Sequence, residues 1–291
     1  RLAPGEIIAR IGEMAKFPAR KTRSYYRLQN GVKERVGFNV FEPVRMKGAL
    51  AVFGRELRAY FFSPLAYVIL TFFVLVQGWY FAMIVAFLAD PRAAAGRPLE
   101  LFFGQTIFTW LVLIFAGTFL TMRLISEELR SGTIETLLTS PISETQVVAG
   151  KYAAALTFYL FLWAPTLVYV AIVRWFTPVD WGPIAASYLG IVGIGALFLA
   201  VGVFASATSK NQMVAAVVTF FCLLVLFSCG LLENLVNGES AKKVLGQMNL
   251  WQHMDDFSKG IVDTRRLVYY ATGVGFFLFL TSRSLAAKKW R

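Results

Sequence analysis

The stretch LAYVILTFFVLVQGWYFAMIVAFLA, residues 65–89, decides the fold, because 25 consecutive positions contain no Asp, Glu, Lys, Arg or His. At about 1.5 Å per residue, a helix of this length crosses the hydrocarbon core of a bilayer, which is about 30 Å thick. Five further uncharged runs follow, at residues 101–122, 152–173, 181–209, 211–232 and 267–282. The pattern predicts an all-α integral membrane protein with six transmembrane helices, at about residues 65–89, 104–125, 152–173, 184–208, 212–233 and 267–284. The fourth span is placed from about residue 184 because Trp181, Gly182 and Pro183 open that run.

The composition of the whole chain supports this prediction. Apolar residues make up 57% of the 291 positions and charged residues 16%, against about 45–50% and about 25% in soluble proteins. Such a chain has too few polar groups to cover its own apolar surface, so membrane lipid must cover part of it. The net charge of +12 then indicates basic segments that face anionic lipid, and we expect no nucleic-acid partner.

Residues 1–45 differ from the rest of the chain. They carry ten Lys or Arg and no sustained apolar periodicity, and they lack the apolar core of a secretory signal. We expect a basic N-terminal extension with little ordered structure. Two interpretations stay open, a basic cytoplasmic tail or sequence upstream of a true start at Met46, and the second is preferred. The membrane domain is then residues 46–291.

Residues 46–63 have the pattern of an amphipathic helix. Apolar side chains recur at helical spacing between charged ones, which is typical of a helix that lies in the membrane interface. Pro64 should end this helix. The alternative is that the segment extends the first span below the membrane. We prefer an interfacial elbow helix, with Leu50, Phe53, Leu57, Tyr60 and Phe61 on its apolar face.

The distribution of Lys and Arg predicts the orientation. With the first 44 residues set aside, segments on the N-terminal side of the membrane carry twelve Lys or Arg and segments on the other side carry eight. Basic residues favour the cytoplasmic side. We therefore expect both termini in the cytoplasm.

The spans contain none of the groups that ion-coupled carriers and intramembrane enzymes require. Their interiors have no Asp, Glu, Lys, Arg or His, and such groups usually mark ion and proton pathways. The only histidine, His253, lies near Asp255 and Asp256; a surface helix is a far commoner setting for these residues than a metal site. No phosphate-binding loop of the form G-x-x-x-x-G-K-[ST] occurs. We expect a chain that is not an enzyme and binds no cofactor or metal.

One long polar segment, residues 122–151, joins the second and third predicted spans. It should begin as a helix, break at Ser131-Gly132, and continue as a short helix that Thr133 caps. That second helix should end before Pro141, since residues before proline avoid the helical region. A short amphipathic helix below the membrane is a suitable docking surface for a soluble partner; an ordinary connecting loop is the equally weighted alternative.

The residues of this segment resemble the cytoplasmic loop of ABC-2 type permeases. The shared pattern is E-E-x-x-x-G-T-I-E-x-L-L-x-x-P-I-x-x-x-x-V-V-x-G-K, from Glu127 to Lys151. The resemblance extends over residues 46–291. Residues 257–263, the pair Tyr269-Tyr270 and the basic tail 288–291 are most similar to the gliding-motility-type (GldF-like) branch.

The resemblance implies the transmembrane permease subunit of an ATP-driven export complex in the bacterial inner membrane. A separate ABC ATPase would bind ATP and Mg, and a second permease subunit would complete the complex. A membrane anchor for an ATPase that acts on envelope or motility proteins stays open, and an ion-coupled carrier or channel is a weaker alternative. The coupling helix between the second and third spans would meet the ATPase through Glu127, Glu128, Gly132, Thr133, Ile134, Glu135, Leu137, Leu138 and Pro141.

Overall fold

The computed structural model describes residues 24–29, 32–37, 43–89, 98–104, 107–134, 142–232 and 245–289. The chain divides into two units, Arg1–Lys47 and Gly48–Arg291.

The first unit contains an antiparallel strand pair, β1 (Ser24–Gln29) and β2 (Val32–Gly37). The register pairs Gln29 with Val32, so only Asn30-Gly31 separates the strands in sequence. Asn-Gly is the dipeptide most typical of two-residue hairpin turns. The expectation of little ordered structure in residues 1–45 did not include this hairpin, and the all-α prediction applies from Pro43 onward.

Every described element from Pro43 to Lys289 is helical, and from Gly48 onward these helices make up the second unit. Helix α1 (Pro43–Phe61) ends just before Ser63-Pro64, as expected from the proline. Pro64 then opens α2 as its first residue, a position where its missing N–H group is not needed. The helices up to the loop are α2 (Pro64–Leu88), α3 (Pro98–Gly104), α4 (Ile107–Thr121) and α5 (Ser126–Ser131).

The remaining helices follow the loop. Helix α6 (Glu144–Trp163) begins at a capping box formed by Ser143 and Gln146, and a 3₁₀ turn at Ala164–Thr166 separates it from the next helix. Pro165 causes this break because it has no N–H group to continue the α-helical pattern. The other helices are α7 (Leu167–Phe176), α8 (Trp181–Thr208), α9 (Gln212–Leu232), α10 (Leu250–Ser258) and α11 (Thr264–Lys289).

Five helical segments are long and apolar enough to cross a membrane, and they overlap the first five predicted spans. They are Pro64–Leu88, Ile107–Ser131, Glu144–Phe176, Trp181–Thr208 and Gln212–Gly230. Helix α11 is 26 residues long, but its uncharged part covers only residues 267–282. The sixth span therefore stays a prediction.

The fourth span begins earlier than the sequence predicted. Helix α8 starts at Trp181, and the Asp180 side chain accepts a hydrogen bond from the Gly182 N–H (3.1 Å) at its N-terminus. Pro183 lies in the first turn, where backbone N–H groups have no helical acceptor, so it does not delay the helix. Helix α8 then occupies the centre of the bundle, in contact with α4, α6, α9, α10 and α11.

Candidate coupling site at the base of the loop

A turn at residues 122–125, in which Leu124 and Ile125 are buried, separates α4 from α5 and opens the predicted coupling loop. The hydroxyl of Ser206, on α8, accepts hydrogen bonds from the N–H groups of Ile125 and Ser126 (both 3.1 Å) and donates to Met122 O (3.3 Å). These backbone groups would be unpaired in an apolar environment, which is strongly unfavourable. Ser206 therefore fixes the start of α5 to the central helix.

Lys151, on α6, is the most buried cation among the described residues, with its side chain only 1% exposed. Its ammonium group donates to Leu124 O (2.8 Å) in the same turn. It also forms ion pairs with Glu56 Oε1 (3.0 Å) and Glu128 Oε1 (2.9 Å). One lysine therefore connects α6 to α1, to α5 and to the backbone between α4 and α5.

Arg55 completes a four-charge network with Glu56, Glu128 and Lys151. One of its guanidinium nitrogens lies 2.8 Å from Oε1 of Glu56 and 2.8 Å from Oε1 of Glu128. Both carboxylates are mostly buried, whereas Arg55 is about half exposed. The two acids and two bases balance, which makes it possible to bury them together at the end of the bundle. The Glu128 Oε2 atom has no hydrogen-bond partner among the described residues.

Close packing of α1 on α6 surrounds this network. A Cβ atom on Gly150 would lie 2.8 Å from Ala49 O and 3.0 Å from the Val52 side chain, so only glycine permits this approach. Further along α1, the Tyr60 hydroxyl donates to Leu120 O (2.5 Å), and the Tyr60 ring stacks on Phe158. Helix α1 is therefore held against both α4 and α6.

The structure describes five of the nine predicted coupling residues. Gly132 adopts a left-handed conformation (φ 73°) that ends α5, which confirms the predicted break. Glu127 and Thr133 are exposed, and Ile134 is buried. Glu128 was predicted to contact the ATPase, but in this structure it pairs with Lys151 and Arg55. The others, Glu135, Leu137, Leu138 and Pro141, lie outside the described residues.

The sequence did not predict that Arg55, Glu56 and Ser206 belong to this candidate site, and Lys151 was predicted only as part of a family pattern. The sequence could have indicated the position of Lys151, because this residue borders the uncharged run at residues 152–173. It could not have indicated the pairing of Lys151 with Glu56, since 95 positions separate the two residues.

The opposite end of the bundle holds a second polar cluster, between α10 and α11. His253 Nδ1 shares a hydrogen bond with the Tyr270 hydroxyl (2.9 Å), and Asp256 pairs with Arg266. Asp255 pairs with Lys259 (2.5 Å). Burial lowers the pKa of His253 to about 4, and the positive charge of Arg266 contributes to the shift. No group of three or more metal-binding side chains occurs among the described residues.

Comparison with known proteins identifies the family. A family model described as ABC-2 family transporter protein matches residues 98–284, well over half of the chain. A comparison with curated proteins gave no match. The matched region runs from α3 into α11, and it includes the loop, Lys151 and Ser206. This multi-pass membrane protein therefore belongs to the ABC-2 transporter family.

Proposed function

We propose that this chain is the permease subunit of an ATP-driven export complex, in which a separate ABC ATPase docks on the loop between α5 and α6. Family membership supports an ATPase partner in general. The observation that carries the proposal is the buried Lys151, which ties the base of this loop to two other helices.

The proposed mechanism is a mechanical one. When the ATPase closes, it displaces the loop, and α5 transmits the displacement through Glu128 to Lys151. Removing one partner of a buried ion pair is unfavourable by about 3–5 kcal/mol, whereas an exposed pair contributes only about 0–1 kcal/mol. The start of α6 must therefore follow α5. Helix α6 continues for 20 residues without a break, so it can carry the movement across most of the membrane.

The docking contact itself is proposed to be mainly apolar. Leu137 and Leu138 would enter a groove on the ATPase, while Glu127 and Glu135 would form exposed contacts at its edge. Glu128 would act inside the permease, where it joins α5 to α6.

We also propose that α11 is the sixth span and that α1 lies in the membrane interface. Helix α11 follows α8 in the same direction: Tyr270 lies against Gly193, and Lys288 Nζ donates to Ala207 O (2.6 Å). Ala207 is next to Ser206, which holds the coupling loop. This arrangement supports a C-terminus on the same side of the membrane as the loop, which we propose is the cytoplasmic side of a bacterial inner membrane.

The docking proposal is tested by replacing both Leu137 and Leu138 with Asp. The double variant should insert into the membrane but fail to co-purify with the ATPase, because two buried charges would oppose apolar docking. The matched control replaces Ile261 and Val262 with Asp. These two exposed apolar residues lie at the opposite end of the bundle, so co-purification should be retained. Unchanged co-purification of the Leu137/Leu138 variant would remove the coupling assignment.

The transmission step is tested separately with Lys151→Met. This variant should still co-purify with the ATPase, because the docking residues are intact, but the complex should lose most of its coupled ATP hydrolysis. Its melting temperature is recorded in parallel, since the unpaired Glu56 and Glu128 should also lower stability. Coupled ATP hydrolysis at the normal rate in Lys151→Met would contradict the mechanism.

A further inference from the structure

Two aromatic contacts define the interface between α2 and the third span. The Phe73 and Trp163 rings meet edge to face at 5.1 Å, and the Phe81 and Tyr169 rings stack at 4.7 Å. Gln77 is four residues from Phe73 and four from Phe81, so it lies on the same face of α2, between these contacts. At this level α2 contacts the 3₁₀ turn that breaks the third span.

Gln77 is completely buried, with 0% exposure, yet neither its Oε1 nor its Nε2 atom has a hydrogen-bond partner among the described residues. The indole N–H of Trp163 is also buried and has no partner there. The hydroxyl of Tyr169 lies against the same turn of α2, 3.2 Å from where a Cβ atom on Gly78 would be. Two unpaired polar groups, and a hydroxyl close to one of them, therefore occur along a short stretch of one interface.

These groups lie deep in the membrane-spanning part of the bundle. Gln77 is 13 residues beyond Pro64, and Trp163 is 12 residues beyond Lys151, which corresponds to about 20 Å and about 18 Å along their helices. Lipid tails cannot form hydrogen bonds, so an unpaired amide at this depth is strongly unfavourable.

The neighbouring helix break does not explain the unpaired groups. The Thr166 side chain donates to Trp163 O (2.6 Å) and pairs with the Tyr188 hydroxyl (2.8 Å). The Tyr159 hydroxyl donates to Ile191 O (3.0 Å) and lies beside the Trp163 indole, with which it makes no hydrogen bond of regular geometry. These hydroxyl groups satisfy the backbone near the break and at α8, and they leave the Gln77 amide without a partner among the described residues.

We propose that Gln77 and Trp163 form a water-binding site in the middle of the bundle, at the kink of the third span. A buried water typically forms about three hydrogen bonds to polar groups that lack other partners. Here water would accept the indole N–H and exchange hydrogen bonds with the amide, which offers both donors and acceptors. The proposed occupant is a neutral molecule, because the uncharged runs that hold Gln77 and Trp163, residues 65–89 and 152–173, carry no charged side chain to balance an ion. This site is independent of the proposed ATPase coupling.

Radiolytic hydroxyl labelling of the purified protein detects such a water directly, because radicals formed from a bound water oxidise the side chains beside it. The reference is Trp110, which is 1% exposed, close to the 3% of Trp163. We expect Trp163 to be oxidised several-fold faster than Trp110. Gln77→Met should reduce the Trp163 rate to that of Trp110. Equal rates for the two tryptophans in the unsubstituted protein would overturn the proposal.

Thermal stability gives an independent readout, because Gln77→Met should change Tm in opposite directions for a hydrated and for a dry site. If water bridges the two groups, Gln77→Met removes its partner and leaves the indole unpaired, so Tm should fall by about 3 °C or more. If the site is dry, the same change removes an unpaired amide, and a rise in Tm would count against the proposal. Gln252→Met, at an exposed position on α10, is the control and should leave Tm unchanged.

The two readouts also distinguish water from a direct contact. If the Gln77 amide bonded the indole itself, Gln77→Met would lower Tm, but Trp163 would be labelled no faster than Trp110. That combination of results would also overturn the water site.

Discussion

The His253 imidazole is held as a neutral group at the end of the bundle opposite the four-charge network. It is buried beside Tyr269 and Tyr270 and hydrogen-bonded to the Tyr270 hydroxyl. Burial is the main cause that lowers its pKa from 6.5 to about 4, and Arg266 contributes; Asp256 and Asp263 act in the opposite direction. The Arg266 guanidinium also donates to the Gln252 and His253 carbonyls, which fixes α10 on α11.

This environment predicts a pH dependence of stability. In the unfolded chain His253 binds a proton near pH 6.5, whereas in the folded chain it does so only near pH 4. The stabilising contribution is therefore complete above about pH 6.5 and is lost as the pH falls toward 4. Tm measured in detergent should fall between pH 7 and pH 5, and His253→Gln should reduce this dependence. An identical pH profile for the variant would show that other groups control the acid response.

At the residue level, the sequence predicted in which element a residue lies better than which other residues it contacts. Gly132 was recognised as a break because a flexible residue followed a helical pattern, and its left-handed conformation confirms that prediction. Glu128 was placed correctly in the loop, but its contact with Lys151 depends on how α1, α5 and α6 pack. No local pattern encodes contacts of that range.

At the level of elements, α8 can be central because glycines give each neighbour space. A Cβ atom on Gly190 would meet Phe257 of α10, and one on Gly193 would meet Tyr270 of α11. On Gly195 it would lie 2.2 Å from the Tyr159 ring of α6. Small residues permit such close approach in membranes, where close packing rather than hydrophobic exclusion drives helix association.

Gly195→Ala should therefore destabilise the protein, by about 1–3 kcal/mol, because Tyr159 is fully buried and cannot move aside. The control is Gly275→Ala on α11, where a Cβ atom would meet nothing within 4 Å. It should be neutral or stabilising by up to about 1 kcal/mol, since alanine favours helix more than glycine. Thermal unfolding of both variants provides the comparison, and equal effects would contradict the close-packing account.

The elements that the sequence did not predict have physical explanations. The uncharged run at residues 152–173 was predicted only as a membrane span; the structure has a 3₁₀ turn at Pro165 within it, because proline has no N–H group to continue the α-helical pattern. The hairpin of β1 and β2 carried a recognisable signal in Asn30-Gly31. The high density of basic residues around it indicated disorder more strongly.

For the whole molecule, the topology depends on whether α11 crosses the membrane. Its uncharged run is short for a membrane span, since only 16 residues separate Arg266 from Arg283. The parallel course of α11 along α8, down to Lys288 at the end of that helix, favours a crossing.

Reporter fusions test this crossing. A fusion after Ile261 should place the reporter outside the cytoplasm, whereas a fusion after Arg291 should place it inside. Alkaline phosphatase activity and GFP fluorescence, which report opposite sides, measure the two positions. If both fusions gave the same location, the chain would have five spans, and its C-terminus would lie on the side opposite the coupling loop.

The balance of charges in the four-charge network has an energetic consequence for any movement of the loop. The membrane potential acts on each elementary charge with about 2.3 kcal/mol per 100 mV, so a lone Lys151 displaced through the field would couple the movement to voltage. Glu56, Glu128 and Arg55 travel with it, and the four formal charges sum to zero. A displacement of the network as one body is therefore electrically silent. Neither an energised nor a depolarised membrane would drive it or oppose it.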